Sequence, residues 1–283
     1  MNYRHAFHAG NFADVVKHLI LTRIVVYLKR KPAAFRVIDT HAGIGRYDLG
    51  SDEAARSPEW QDGIGRLLAT GLPPAAADLA APYLEVVRGE NPDGELTTYP
   101  GSPLLVRRLL RPQDRLSALE LHPDDAAALK ALFAGDVQTR VIHLDGWLAL
   151  HAHLPPKERR GLVLVDPPFE ADGEFARLVD GLGKAHGKFA TGIYALWYPL
   201  KQPAAVAAFV AALRASGIPR MLRAELSLRP PAEPPRLHGT GMIIVNPPHT
   251  LATELTVLLP ALAAVLGDEG RGRHRIEWIR GED

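Results

Sequence analysis

Hydrophobic residues recur along the chain with two spacings, one typical of helices and one of buried strands. Between residues 12 and 27, apolar positions recur every three or four residues after Asn11, a residue type that favours a helix N-cap. The basic stretch Lys29–Pro32 then predicts the end of this helix. Residues 35–38 predict a short buried strand, which leads into a loop with Gly43 and Gly45.

The alternation of strands and helices continues towards the C-terminus. We predict further strands at 116–121, 140–144, 161–165, 192–197, 221–228 and 242–245, and further helices at 124–133, 172–186, 204–215 and 251–266. Such alternation indicates a largely parallel sheet with helices on both faces. The chain is therefore predicted to have an α/β fold.

Two segments interrupt this alternation. Residues 48–100 are rich in Ala, Pro and Gly, carry helical patches at 62–68 and 75–87, and contain no convincing buried strand. We interpret them as a helical insertion in a sheet domain formed by 1–47 and 101–283. Residues 229–236 are too rich in proline for regular structure and are predicted to be a long loop between the last two strands.

Composition narrows the class of protein. The 283 residues are 47% hydrophobic and 23% charged, which is typical of a globular protein. Cysteine is absent, so disulfides, iron–sulfur clusters, thiolate zinc sites and cysteine nucleophiles are excluded. The longest apolar run, 257–266, is too short for a membrane span, and the N-terminus lacks the apolar core of a signal peptide. We expect a cytoplasmic protein that makes no membrane contact.

The net charge of +1 conceals an uneven distribution. Residues 1–50 hold eight Lys or Arg and three Asp or Glu, so the beginning of the chain is basic. A basic stripe suits contact with the phosphates of a nucleic acid, because Lys and Arg displace its condensed counterions. A solvated helix face explains the same charges equally well.

Acidic residues follow the predicted strands. In an open α/β sheet, ligands bind beyond the carboxyl ends of the strands, so the residues at these positions are candidates for ligand contacts. Glu120 is the candidate for the ribose hydroxyls of a nucleoside, and Asp145 for an adenine amino group. A dinucleotide fingerprint would require a third glycine where Asp48 stands, which disfavours nicotinamide binding.

Asp166-Pro167-Pro168-Phe169 is the most specific motif in the chain. The Asp166 carboxylate and the Pro167 carbonyl can accept both hydrogens of an aromatic amine, and Phe169 offers a face on which a base can stack. A strand-ending turn is the alternative interpretation. The similar run at 246–249 lacks the aromatic residue, and we interpret it as a structural turn.

Taken together, separated motifs resemble the bacterial 23S ribosomal RNA adenine-N6 methyltransferases of the RlmJ type. The motifs that carry this resemblance lie at 3–11, 13–15, 17–18, 39–47, 99–103, 120–123, 145–146, 166–170 and 190–199. The resemblance covers nearly the whole chain. It implies a Rossmann-like class I S-adenosylmethionine-dependent methyltransferase sheet with a helical insertion.

The resemblance also implies roles for particular residues. The positions that match S-adenosylmethionine contacts are His18, His41, Ser102, Glu120, Asp145, Gly146 and Asp166. Asp166 also matches the catalytic proton acceptor, Tyr3 matches an RNA contact, and Phe169 stands where relatives often carry tyrosine. From the pattern alone, His18 would instead pair locally with Asp14.

These implications define the expected function. We expect methylation of the N6 amine of a specific adenine in accessible 23S rRNA, by a monomer that needs no metal and no obligate protein partner. Two alternatives stay open: a methyltransferase for another planar amine, in DNA adenine, DNA cytosine or protein glutamine, and an RNA-binding ribosome-assembly factor. The candidates for the RNA-facing surface are Tyr3, Arg4, Lys17, Lys29, Arg30 and Arg46.

Overall fold

The computed structural model describes residues 5–281. The helices are α1 Phe12–Leu28, α2 Asp52–Arg56, α3 Arg66–Thr70, α4 Pro74–Gly89, α5 Ser102–Leu109, α6 Pro123–Leu132, α7 Gly146–Ala152, α8 Glu174–Lys188, α9 Pro203–Ala215 and α10 Leu251–Leu266. The strands are β1 Arg36–Asp39, β2 Arg46–Asp48, β3 Thr98–Pro100, β4 Arg115–Glu120, β5 Thr139–His143, β6 Gly161–Val165, β7 Ile193–Leu200, β8 Met221–Ser227, β9 Gly239–Val245 and β10 Arg273–Arg280. The predicted α/β class is confirmed.

Eight of these strands form one sheet in the order β10-β8-β9-β7-β6-β1-β4-β5, and β2 pairs with β3 in a separate hairpin. Strands β7, β6, β1, β4 and β5 are mutually parallel, whereas β9, β8 and β10 join antiparallel to their neighbours. The carboxyl ends of β6, β1, β4 and β5 therefore meet at one edge of the sheet, and the loops that follow them come together.

Both faces of the parallel half are buried. Neighbouring residues of a strand point to opposite faces, so Val37 belongs to one hydrophobic cluster and Ile38 to the other. The same division separates Leu164 from Val165 in β6. This two-sided burial explains why β6 is a continuous apolar run rather than an alternating one.

Helix α1 is central to the molecule. The Asn11 side chain accepts hydrogen bonds from the backbone amides of Ala13 and Asp14, which caps the start of the helix as the sequence predicts. Most of the helix is buried, including the polar residues Lys17 and His18. Because α1 is surrounded by other elements, its polar side chains must find partners inside the protein.

The structure contains elements that the sequence-based description lacks, among them two strands of different kinds. Strand β10 was not predicted, because its sequence Arg-His-Arg-Ile-Glu-Trp-Ile-Arg mixes charges with apolar residues as an edge strand does. The segment 48–100, predicted to hold no buried strand, contains β3 with the fully buried Tyr99. Three residues are too few for a recognisable alternation, and β3 is held by pairing with the distant β2.

Helices α2, α3 and α4 lie between β2 and β3, in the segment predicted to be helical. Buried residues of this segment, including Ile64, Leu67 and Tyr83, belong to the same hydrophobic cluster as Val37 of the sheet. This segment therefore packs into the main core. Within 5–281, no helix combines the length and apolar character that a membrane span requires.

Candidate active site

A cavity of about 620 Å³ opens where the loops after β1, β4, β5 and β6 meet α1. The sequence-predicted residues that line it are His18, His41, Ser102, Glu120, Asp145, Gly146, Asp166, Pro167 and Phe169. The remaining predicted residue, Tyr3, lies outside the described residues. One pocket thus brings together side chains from across the chain, as strand-end placement leads us to expect.

The loop after β1 surrounds a buried acid. Ser102, at the start of α5, donates its hydroxyl hydrogen to Asp39 Oδ2 at 2.6 Å. Burial raises the pKa of Asp39 to about 7, although the hydrogen bond from Ser102 opposes this shift. Since the Ser102 hydrogen is used in this way, Ser102 can offer a ligand only its oxygen lone pairs.

Glu120 is held rigidly at the end of β4. One of its carboxylate oxygens accepts a 2.8 Å hydrogen bond from the backbone amide of Gly43, and the other a 2.8 Å bond from that of His122. Gly43 has φ of +60°, a conformation that a side chain would strain. Each carboxylate oxygen keeps a free lone pair, so Glu120 suits two neighbouring hydroxyls such as those of a ribose.

The residues that follow β5 form another part of the pocket wall. Asp145 caps α7 by accepting a 2.9 Å hydrogen bond from the amide of Trp147. The next residue must be glycine, because a Cβ on Gly146 would lie 2.1 Å from the backbone oxygen of Thr40. This close backbone approach, the glycine loop and the fixed Glu120 form a cradle that fits a nucleoside cofactor.

Asp166 is paired with a buried lysine. Lys17 Nζ lies 2.5 Å from Asp166 Oδ2 and 2.7 Å from Asp14 Oδ1. Burial alone would lower the pKa of Lys17, but the two carboxylates outweigh it and raise that pKa. Lys17 is therefore a buried cation that both carboxylates hold in its charged form.

Sequence reasoning placed Lys17 on the RNA-facing surface, and this is wrong because only 4% of the residue is exposed. Its spacing of three residues from Asp14 was the available signal for an internal pair. The contact with Asp166, 149 residues further along, has no signal in the local sequence.

Asp14 continues this network. Its Oδ2 accepts a 2.9 Å hydrogen bond from the amide of Gly10 and lies 2.9 Å from His5 Nε2. Burial by itself would raise the pKa of Asp14, but His5 and Lys17 hold it well below its usual range. Two carboxylates and one lysine thus form a buried charged cluster beside the pocket.

His18 does not pair with Asp14 as the local pattern predicts. Its Nε2 is 4.0 Å from Asp14 Oδ1, which is beyond hydrogen-bond distance, whereas its Nδ1 is 2.8 Å from the Tyr99 hydroxyl. Burial lowers the pKa of His18 to about 3. The histidine is therefore neutral at the wall of the pocket.

Phe169 closes the loop after β6. It has φ of +53°, a strained conformation for a non-glycine residue, of the kind that clusters at functional sites. Its ring makes edge contacts with Phe175 and Trp197, at centroid distances of 4.9 and 5.6 Å. The surrounding aromatic residues thereby fix the orientation of the Phe169 ring.

The similar run at 246–249 is a structural turn, as the sequence suggests. Asn246 has φ of +51°, and its side-chain amide donates 2.8 Å hydrogen bonds to the backbone oxygens of Ala190 and Gly192. Of the other basic candidates for RNA contact, Arg30 and Arg46 are exposed, and Arg46 pairs with Glu90 at 2.7 Å. Arg4 lies outside the described residues.

Comparison with known proteins gives a family match and relatives that are similar over the full chain. The family model described as "Ribosomal RNA large subunit methyltransferase D, RlmJ" matches residues 32–280. The chain is 42% identical over 279 residues to Ribosomal RNA large subunit methyltransferase J of Escherichia coli (strain K12), covering 99% of both chains. It is 42% identical over 284 residues to the protein of the same name from Haemophilus influenzae, covering 100% of both chains.

Solved structures show the same fold. A crystal structure of a Legionella pneumophila protein superposes with a TM-score of 0.88 at 36% identity, covering 96% of this chain and 98% of that chain. A probable spermidine synthase from Corynebacterium glutamicum superposes with a TM-score of 0.50 at 12% identity, covering 94% of this chain and 75% of that chain. The second likeness concerns the fold alone.

Proposed function

The chain belongs to the RlmJ family of large-subunit ribosomal RNA methyltransferases, and from this premise we propose that it methylates the N6 amine of one adenine in 23S rRNA. The methyl donor is S-adenosylmethionine. The observation that supports the position of the chemistry is the Asp166-Pro-Pro-Phe loop, which lines the same cavity as the nucleoside cradle at Glu120 and Asp145.

S-adenosylmethionine supplies a methyl group on a positively charged sulfur, which leaves as a neutral thioether. Glu120 would hold the ribose hydroxyls, and Asp145 the amino group of the cofactor's adenine. His18, His41, Ser102 and Gly146 would complete the cofactor-binding surface, because all four line the same cavity.

Asp166 would prepare the target amine. The nitrogen lone pair of an adenine amine is delocalised into the ring, so the amine is a weak nucleophile. Acceptance of its two hydrogens by the Asp166 carboxylate and the Pro167 carbonyl favours a pyramidal nitrogen with a more available lone pair. Asp166 would also stabilise the cation that forms at N6 and accept the proton that this cation loses.

Lys17 determines which carboxylate oxygen of Asp166 is available to the target amine. It occupies Oδ2 at 2.5 Å, which leaves Oδ1 for the amine. Lys17 itself carries no proton to the reaction in this proposal, because the two carboxylates hold it in its charged form.

The target adenine must reach a recessed pocket. A base inside a helix pays a few kcal/mol to leave its stack, and an unpaired base pays least. A loop or bulged adenine in RNA that is free of ribosomal proteins is therefore the preferred substrate, with Tyr3 contacting the RNA and Phe169 stacking on the base. Protein-free 23S rRNA should react faster than assembled large subunits.

We further propose that the enzyme works in the cytoplasm as a monomer without an obligate protein partner. Its substrate is an RNA and its cofactor a small molecule, and all four strand ends of the pocket come from one chain. Residues 48–100 would form a helical insertion in the methyltransferase domain made by 1–47 and 101–283. Light scattering of the purified enzyme would measure the mass directly.

Methyl transfer from labelled S-adenosylmethionine tests the proposed function. Wild type, Asp166→Asn and the exposed matched control Asp172→Asn would each receive protein-free 23S rRNA, large subunits, DNA and protein, followed by nucleoside analysis. We expect N6-methyladenosine in free 23S rRNA, a loss of about 10²- to 10⁴-fold in Asp166→Asn, and no loss in the control.

Other outcomes would contradict the proposal in distinct ways. Label in DNA or protein would keep the reaction class but replace the substrate. Binding of cofactor and RNA without methyl transfer by the wild type would favour an RNA-binding assembly factor. Full activity in Asp166→Asn would remove Asp166 from the mechanism.

A further inference from the structure

The two ring nitrogens of His18 have different surroundings. Nδ1 lies 2.8 Å from the hydroxyl oxygen of Tyr99. Nε2 is buried and has no hydrogen-bond partner among the residues that the structure describes, and His18 is one of the residues that line the pocket. A buried nitrogen without a partner is costly, so Nε2 marks a position where a polar group of a ligand arrives.

His18 carries a single ring hydrogen. The residue is 1% exposed, and burial, assisted by the charge of Lys17, lowers its pKa to about 3. Neutral imidazole exists as an Nδ1–H or an Nε2–H tautomer, and the tautomer decides whether the pocket meets a donor or an acceptor.

Two buried tyrosines continue the hydrogen-bond chain behind His18. The Tyr99 hydroxyl lies 3.0 Å from that of Tyr83, and both side chains are fully buried. Burial raises the pKa of both phenols, so each keeps its hydrogen. Three groups with one hydrogen each can keep both hydrogen bonds in three ways. In two of them all donors point the same way along the chain; in the third, Tyr99 accepts from both neighbours and its own buried hydrogen has no acceptor among the described residues.

One arrangement satisfies both tyrosine hydroxyls and Nδ1, and it leaves only the Nε2 hydrogen for a ligand. If Tyr83 donates to Tyr99 and Tyr99 donates to His18 Nδ1, then Nε2 carries the hydrogen and lies 4.0 Å from the Asp14 carboxylate, a favourable arrangement of charges. In the opposite direction Tyr83 would hold a buried hydrogen for which the described residues offer no further acceptor. The Nε2 lone pair would then also face the Asp14 carboxylate, which repels it.

We propose that Tyr99, supported by Tyr83, is a positioning residue that holds His18 as the Nε2–H tautomer, so that the pocket offers a hydrogen-bond donor to the bound cofactor. Its partner there rests on the proposed function. With adenosine at Glu120 and Asp145 and the methyl group at Asp166, the amino-acid portion of S-adenosylmethionine remains for His18. The carboxylate is the strongest acceptor of that portion.

The segment 48–100 supplies the tyrosines that contact His18 directly or through one another. Tyr83 lies on α4 and Tyr99 on β3, whereas His18 lies on α1. This segment therefore contributes to the pocket through the Tyr99 hydroxyl, which Tyr83 contacts from behind, without lining the position of the reacting amine.

Nitrogen-15 NMR of ligand-free enzyme tests the tautomer without any activity assay. We expect wild-type His18 to show a protonated Nε2 and an unprotonated Nδ1 that accepts a hydrogen bond. Tyr99→Phe should shift the Nδ1 resonance and reduce the Nε2–H fraction, whereas Tyr83→Phe should preserve the tautomer. A protonated Nδ1 in the wild type would overturn the proposal, whatever the protein's activity.

Calorimetry with two ligands tests whether the His18 tautomer affects binding of the amino-acid portion of the cofactor. Tyr99→Phe should weaken the binding of S-adenosylhomocysteine about three- to tenfold, the range for one hydrogen bond, and leave the binding of methylthioadenosine within about twofold. Methylthioadenosine is the probe because it lacks the amino-acid portion. Tyr83→Phe, which deletes the same atom one step further away, should change neither affinity by more than about twofold.

The remaining outcomes separate the two proposals. Equal weakening of both ligands, or equal effects of Tyr99→Phe and Tyr83→Phe, would show a generally loosened pocket and overturn the positioning role. If the wild type binds neither ligand, the proposed function fails, and the NMR result still decides the tautomer.

Discussion

At the scale of single residues, the pocket is governed by buried groups whose surroundings shift their ionisation. Lys17 stays charged because Asp14 and Asp166 outweigh the cost of its burial. His18 stays neutral because burial outweighs the carboxylate of Asp14. Burial and nearby charges act on both residues, but nearby charges dominate at Lys17 and burial dominates at His18. One helix therefore carries a permanently charged lysine and a neutral histidine.

The neutral state of His18 predicts a pH dependence of stability. The pKa of His18 is about 3 in the folded protein and 6.5 ordinarily, so between these values the unfolded chain binds a proton that the folded protein does not. Its contribution is complete above pH 6.5 and is lost as the pH falls towards 3. His18→Asn should reduce the slope of the unfolding free energy between pH 4 and 6 by up to about 1.4 kcal/mol per pH unit.

Urea unfolding across this pH range provides the measurement, with His274→Asn at an exposed position as the matched control. The raised pKa of Asp39, about 7, gives a slope of the opposite sign between 3.8 and 7. Because Asp39 is present in all the variants, its effect cancels in the comparison. An equal change of slope in both histidine variants would contradict the assignment to His18.

At the scale of elements, the pocket exists because helices and loops begin immediately after strands and approach one another closely. The start of α7 touches the loop after β1 through Gly146 and the Thr40 carbonyl. The amide of Gly43 ties that loop to Glu120 at the end of β4. Three strand ends are thereby held in fixed relative positions before any ligand binds.

Two glycine substitutions should have opposite effects. Gly146→Ala places a Cβ 2.1 Å from the Thr40 oxygen, so the backbones must separate. We expect a loss of about 1–3 kcal/mol in unfolding free energy and weaker cofactor binding. Gly183→Ala, at an exposed position inside α8 with nothing within 4 Å, should raise stability by about 0.5–1 kcal/mol.

Thermal unfolding and calorimetric titration of the two variants give both quantities. Unchanged cofactor affinity in Gly146→Ala would show that the contact with Thr40 does not shape the pocket. A stability loss in Gly183→Ala would show that helix propensity does not determine the effect of substitution at that position.

At the scale of the whole molecule, the two halves of the sheet have different roles. The parallel half carries the pocket at its carboxyl edge, and the antiparallel half, β9, β8 and β10, extends the core away from it. Strand β8 is almost entirely buried, and β10 covers its outer edge. Stability of the sheet therefore depends on a strand that takes no part in the site.

Truncation should reveal this dependence. A chain that ends at residue 271 loses the buried Ile279 and leaves the edge of β8 unpaired. We expect its unfolding free energy to fall by more than about 3 kcal/mol, the upper value for one buried aliphatic side chain. Urea denaturation would measure the loss against a chain that ends at residue 281, and similar stability of the two chains would contradict this role of β10.

Much of this arrangement could be predicted because it depends on residues that are close together in the sequence. The predicted helix 251–266 coincides with α10, and the buried run 161–165 coincides with β6, since periodicity and continuous hydrophobicity act over a few residues. The residues proposed for the cofactor could be found for a related reason: Glu120, Asp145 and Asp166 each stand at the end of a predicted strand.

What lay beyond sequence reasoning depends on contacts between distant segments. Strand β10 is defined by its partner β8, and the short β3 by its partner β2. Their own sequences are too charged or too brief to show a strand pattern. β-propensity depends strongly on context, so such strands become recognisable only from the neighbour that pairs with them.

The sequence by itself therefore determined the fold class, the family and the set of strand-end residues, because each follows from short-range periodicity or from motifs that stand together. Only the tertiary structure decided the electrostatic state of the site. The pairing of Lys17 with Asp166 and that of His18 with Tyr99 join residues 149 and 81 positions apart. Burial and charge then act together, since the pKa of a buried group reflects every neighbour that folding places around it.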